Sequence, residues 1–141
     1  MTQEFEWSIR VYYEDTDAGG VVYYANYLKF YERARSEWLN QLKINQTQLL
    51  DQGIAFVVTR AEVDYLRPAR LNQSLLVTSC IDKVTAATVS FEQKLWLCDQ
   101  NHLNKRELLN QASIKVACLK LNTFLPCRLP ALVKEELQRV S

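Results

Sequence analysis

The stretch Tyr13-Glu14-Asp15-Thr16-Asp17-Ala18-Gly19-Gly20-Val21-Val22-Tyr23-Tyr24-Ala25-Asn26-Tyr27 joins two different periodicities. Before it, Ile9-Arg10-Val11-Tyr12-Tyr13 reads as a strand. After it, the apolar residues Tyr27, Phe30, Tyr31, Ala34, Trp38 and Leu42 return at helical spacing. Between the two lie a cluster of carboxylates and two of the chain's three glycines, side by side. Such a concentration suggests a built site rather than a plain connection.

Outward from this junction, residues 24–42 form one long helix. Ala25, Leu28 and Leu39 widen its apolar stripe, so most of its surface must be covered. Its polar side carries Lys29, Glu32, Arg33, Arg35 and Glu37, which read as a solvated or paired rim. A short helix at 46–51 ends at Gly53. The period then changes to two. Strands are expected at 55–66, with Val57, Thr59, Ala61, Val63 and Tyr65 on one face, and then at 75–81, 84–98 and 111–121. Pro126 and Pro130 break the chain before a terminal helix at 132–140. Short polar connections favour hairpins and an antiparallel sheet. The economical arrangement is α+β: a curved antiparallel sheet wrapped around one helix, in a single domain over residues 1–141. One helix leaves part of a sheet uncovered, so self-association is expected.

Composition narrows the chemistry. A net charge of +1 gives no electrostatic reason to expect nucleic acid. No apolar run is long enough to span a membrane, and the acidic start Met1-Thr2-Gln3-Glu4-Phe5-Glu6 does not resemble a signal peptide. A cytoplasmic protein is expected, with Cys80, Cys98, Cys118 and Cys127 as reduced thiols. The one histidine, His102, lies in a polar turn at 99–105 between two apolar stretches. With no second His and no paired cysteines, no metal site is expected. No Gly-x-Ser-x-Gly elbow, P-loop or dinucleotide fingerprint can be written. Carboxylates and backbone dipoles are left to carry any catalysis.

A helix starting near Val22 to Tyr24 leaves its first N–H groups without intrahelical partners, at the positive end of the helix dipole. They can stabilise a developing oxyanion. Gly19 and Gly20 free the backbone and leave room for a substrate to come close. A carboxylate beside that end can attack an acyl carbon, or take a proton from the water that does. An aspartate that caps the helix would occupy the same donors. Asp17, nearer the glycines, is assigned the chemistry, and Asp15 the support of the turn. Asx-turn and capping bonds alone would also account for both residues.

The motif 11–23, with Ala25-Asn26-Tyr27 and Glu32-Arg33-Ala34-Arg35, resembles the hotdog-fold acyl-CoA thioesterases. The similarity is greatest to the Tol–Pal-associated (YbgC-like) branch, related to 4-hydroxybenzoyl-CoA thioesterase. It continues through Phe56-Val57-Val58, Tyr65-Leu66-Arg67-Pro68-Ala69-Arg70-Leu71 and Lys115-Val116-Ala117-Cys118, nearly the whole chain. The resemblance implies one helix wrapped by a five-stranded antiparallel sheet, and homodimers or tetramers with sites at the interface. It implies hydrolysis of acyl-CoA without metal or organic cofactor. The catalytic Asp falls on Asp17, and the backbone oxyanion donor on or next to Tyr24. The Tol–Pal branch commonly carries His at that position and the 4-hydroxybenzoyl branch Tyr; a backbone donor is indifferent to the change. Gly19, Gly20 and Val22 are expected to line the substrate site, and Arg67 and Arg70 to meet the phosphates of CoA. Tyr27, Tyr31 and Trp38 are expected in the core. The alternative is a non-catalytic module binding acyl thioesters or acyl carrier protein, associated with envelope or phospholipid metabolism.

Overall fold

The computed structural model describes residues 2–99 and 102–141, those at 102–104 by backbone alone. Five strands form one antiparallel sheet: β1 (Phe5–Arg10), β2 (Ile54–Tyr65), β3 (Ser74–Val84), β4 (Thr88–Asp99) and β5 (His102–Lys120), in the order β1-β3-β4-β5-β2. The helices are α1 (Asn26–Gln41), α2 (Gln46–Asp51) and α3 (Ala131–Val140). The α+β architecture and the single long helix against five strands are as the sequence led us to expect.

The core forms where α1 meets the sheet. Tyr27, Phe30, Tyr31, Ala34 and Trp38 are buried against Leu75, Val77, Phe91, Leu95, Ala112 and Ile114 of β3, β4 and β5. Trp38 stacks on Phe5 and meets Phe91 edge-on, which fastens the C-terminal half of α1 to both β1 and β4. Burying side chains of this size stabilises by about 1.5–3 kcal/mol each. The three aromatics Tyr27, Tyr31 and Trp38 are therefore core residues, as expected.

Four sequence-based expectations need correction. Arg35 is not part of a solvated rim: it is 8% exposed, donates from Nη1 to Gln93 Oε1 at 2.9 Å and lies 6.0 Å from the Phe91 ring centre. Its three-residue neighbour Glu32 instead accepts from Ser36 Oγ. The first strand ends at Arg10, and Tyr13–Asp15 turns as a short 3-10 helix because the Asp15 carboxylate draws the Tyr12 N–H back to it at 2.8 Å. In β2 the register with β5 slips between Val58 and Arg60. Phe56 and Val58 then share a face with Ala61, Val63 and Tyr65, opposite Cys118, Val116, Ile114, Ala112 and Asn110, so the expected odd-numbered face is split by a bulge. Finally, β5 begins at His102, earlier than the strand expected at 111–121. Of the polar turn expected at 99–105, residues 100–101 lie outside the described residues, and 102–105 belong to β5, with the His102 backbone paired to Asp99.

Candidate active site

The junction between β1 and α1 folds as a small hairpin. Thr16 bridges Val22, the Asp17 N–H donates to Val21 O at 2.9 Å, and the Gly20 N–H donates to Asp17 O at 3.0 Å. Gly20 closes the turn at φ +78°, a left-handed conformation that glycine adopts without steric cost. The hairpin is tied to the segment after β2: the Val22 N–H donates to Ala69 O at 2.8 Å, and Val21 bridges Arg70.

The two aspartates divide their work. Asp15 is buried, holding the Tyr12 N–H with its carboxylate; its carbonyl accepts from the Tyr23 N–H at 3.0 Å and from Asn26 Nδ2 at 2.9 Å. Asp17 is exposed. One of its oxygens accepts the Gly19 N–H at 2.8 Å, the Asx-type bond the sequence allowed for; the other has no partner among the described residues. Neither aspartate caps α1, whose N-terminal cap position is Ala25 with no side-chain bond. The helix therefore starts at Asn26, two residues beyond the expected beginning. The backbone N–H groups of Tyr24 and Ala25 have no hydrogen-bond partner among the described residues.

Beside these amides opens a cleft of about 250 Å³ lined by Val22, Tyr24, Tyr27, Tyr65, Leu66, Arg67 and Pro68. The Tyr24 ring stands edge-on to Tyr65, and Tyr27 tilts against Tyr65. The Tyr27 hydroxyl accepts the Ala69 N–H at 3.0 Å. Burial pushes the Tyr27 hydroxyl above its ordinary pKa; the Ala69 bond opposes this, while Tyr65 and the Asp17 charge add to it. Asp17 is thus within electrostatic reach of a tyrosine that lines the cleft.

Of the residues singled out in the sequence, Val22, Tyr24 and Arg67 line this cleft, while Asp17, Gly19 and Gly20 form the adjoining hairpin. Arg67 is ion-paired with Glu107. Arg70 lies opposite Val21, is exposed and has no ion pair among the described residues. Sequence reasoning missed Tyr65 and Leu66 as cleft residues. Tyr65 stood out as a strand position and as the start of the quoted stretch 65–71, but its partnership with Tyr24 depends on a fold contact 41 residues apart in sequence. It also missed Asn26 as the pin between α1 and the Asp15 turn, although Ala25-Asn26-Tyr27 belongs to the quoted motif.

Comparison with known proteins agrees with this architecture. Residues 19–102 match the thioesterase superfamily. The chain is 44% identical over 131 residues to the acyl-CoA thioesterase YbgC of Haemophilus influenzae, covering 92% of this chain and 91% of that one. It is 38% identical over 138 residues to the acyl-CoA thioester hydrolase YbgC of Escherichia coli O6:H1, covering 98% of each. A solved 1,4-dihydroxy-2-naphthoyl-CoA thioesterase from Synechocystis superposes with a TM-score of 0.87, covering 96% of each chain at 23% identity, a likeness of fold.

Proposed function

The chain belongs to the thioesterase superfamily, and from that membership we propose that it hydrolyses an acyl-CoA thioester to the free acid and CoA. The relatives named YbgC, matched nearly end to end, support this class of reaction. One structural observation supports the site most. Asp17 keeps one carboxylate oxygen free on a hairpin beside the cleft, and the amides of Tyr24 and Ala25 are left uncapped at the start of α1.

In the proposed reaction the thioester carbonyl lies between these two elements. The free oxygen of Asp17 attacks the acyl carbon, or accepts a proton from the water that attacks it. The oxygen of the tetrahedral intermediate is held by the Tyr24 amide, with the Ala25 amide adjacent. The thiolate of CoA leaves and takes up a proton. In the first route, water then opens the mixed anhydride on Asp17. Gly19 and Val22 bound the path of the acyl group, and Gly20 sets the turn. Arg70, free of any ion pair among the described residues, is better placed for CoA phosphates than Arg67, which must first leave Glu107. The protein acts in the cytoplasm, as a homo-oligomer.

The test is Asp17→Asn. An Asn side-chain oxygen can still accept the Gly19 N–H, so the turn and the fold should survive. Hydrolysis over a panel of short, long and aromatic acyl-CoAs should fall by about 10²–10⁴-fold, the contribution typical of such a group. Near-wild-type turnover in this variant, with intact circular dichroism, would remove Asp17 from the chemistry. In a single turnover in ¹⁸O-labelled water, label entering Asp17 would establish the anhydride route, since water opening the anhydride at the Asp17 carbonyl is its only way into that side chain.

A further inference from the structure

Away from the hydrolytic site, the chain doubles back after β5. Leu119 bridges Pro126, the Lys120 N–H donates to Leu125 O at 3.0 Å, and the Cys127 N–H donates to Cys118 O at 2.9 Å. This antiparallel return sets Cys118 directly opposite Cys127, with their sulfurs 3.4 Å apart. Opposed residues of an antiparallel pair have Cα atoms about 4.5–5.5 Å apart, and a disulfide needs about 4.4–6.8 Å. The register thus places the pair within the span a disulfide bridges, and the sulfurs have to close from 3.4 Å to about 2.05 Å. Among the described residues Cys80 and Cys98 have no such partner: Cys80 lies opposite Glu92, and Cys98 opposite Arg106.

We propose that Cys118 and Cys127 are a built redox pair that closes to an intramolecular disulfide on exposure to hydrogen peroxide and reopens with dithiol reductants. The two sulfurs differ in access. Cys127 is half-buried and lines an open cleft of about 830 Å³ with Gly53, Ile54, Lys120 and Arg128. Cys118 is fully buried; burial first, and then its bond to Cys127, push its thiol up in pKa. Cys127 is accordingly the sulfur that meets the oxidant. Its thiolate takes one peroxide oxygen, the O–O bond breaks, and the departing hydroxide becomes water, leaving a sulfenic acid. The Cys118 sulfur then attacks Cys127 Sγ. The S–O bond breaks, and the hydroxyl leaves as water with the Cys118 proton. Two thiols lose two electrons, and one peroxide is reduced to two waters.

The bond would close a ring around the turn that carries Leu121, Phe124 and Leu125, all exposed, and would fix the segment leading into α3. The experiment is a thiol titration and non-reducing peptide map of the intact wild-type protein before and after peroxide. Titratable thiols should fall from four to two. One linked peptide pair, holding Cys118 and Cys127, should appear. Dithiothreitol should restore the starting state, and the oxidised form should be cut more slowly by protease within residues 121–125. In Cys127→Ser, a substitution at a half-buried position, the linked pair should be absent. Persistence of four thiols in the wild type would overturn the proposal. So would a linkage through Cys80 or Cys98, or sulfinic acid at Cys127 with no linked pair.

Discussion

Two adjacent glycines serve different ends, and substitution tells them apart. Gly20 holds φ +78°, yet a methyl group built on it meets nothing within 4 Å. Its requirement is conformational alone. Gly20→Ala should lower stability by about 1–2 kcal/mol, the cost of the left-handed region for an L-residue, and Gly20→Asn by less. Gly19 lacks a positive φ, but a Cβ there would come within 3.2 Å of Asp17 Oδ1. Gly19→Ala should therefore leave the urea midpoint nearly unchanged while displacing the Asp17 carboxylate and depressing kcat. Urea unfolding alongside acyl-CoA hydrolysis reads both effects. A Gly19→Ala protein with unaltered kcat would separate that glycine from the Asp17 geometry. The sequence marks the pair as a place of close approach; which glycine bends the chain and which spares the carboxylate depends on dihedral angles that residue types do not encode.

Between α1 and the sheet runs a polar seam inside the core. The Tyr31 hydroxyl donates to Asn110 Oδ1, while Gln93 Nε2 donates to Tyr31 O at 3.0 Å and Ser79 Oγ at 2.9 Å, and its Oε1 receives Arg35. Asn110 Nδ2 has no partner among the described residues, so the Tyr31 bond is the only side-chain satisfaction this buried amide has there. Tyr31→Phe should destabilise by about 1–3 kcal/mol, measured by urea unfolding at neutral pH, because it strands a second buried polar atom. Burial also raises the Tyr31 hydroxyl well above its ordinary pKa. The folded state then keeps a proton that the unfolded chain releases. That stability is complete below the unfolded value of about 10 and drains away as pH rises from there through the folded value. Wild type and Tyr31→Phe should converge in stability above pH ~10; a constant gap would mean that the hydroxyl does not titrate differently on folding. The helix stripe itself was legible at Tyr27, Phe30, Ala34 and Trp38, because its period is local. Arg35 was not: by residue type it belongs to the rim, and only the arrival of Gln93 and Phe91, nearly 60 positions away, makes its burial tolerable. The bulge in β2 was equally silent, since one extra residue reverses which face looks inward without altering the composition of the strand.

At the scale of the molecule, the sheet is unequally finished. Strand β2 is an edge twelve residues long, and Val57, Val58, Tyr65 and the following Leu66 are 37–56% exposed. A long apolar edge offers unpaired backbone groups to another chain, and proteins that remain monomeric usually blunt such edges with charge or proline. Arg60, Glu62 and Asp64 place charge along β2, but Arg60 and Glu62 neutralise each other. Pairing with a second copy through this edge is the expected resolution, with a native mass that is an even multiple of 16.4 kDa. The same strand ends in Tyr65, which lines the cleft beside Tyr24, so the edge and the proposed active site share an element. Association and catalysis should then fail together. Val57→Lys puts a like charge on both strands of a two-fold edge pair without touching the cleft. It should shift light-scattering mass toward the monomer and lower kcat/KM in step, with activity recovering as protein concentration rises. A wild-type chain that stays at 16.4 kDa at working concentrations, or a monomeric variant with full activity, would show that the cleft is complete within one copy.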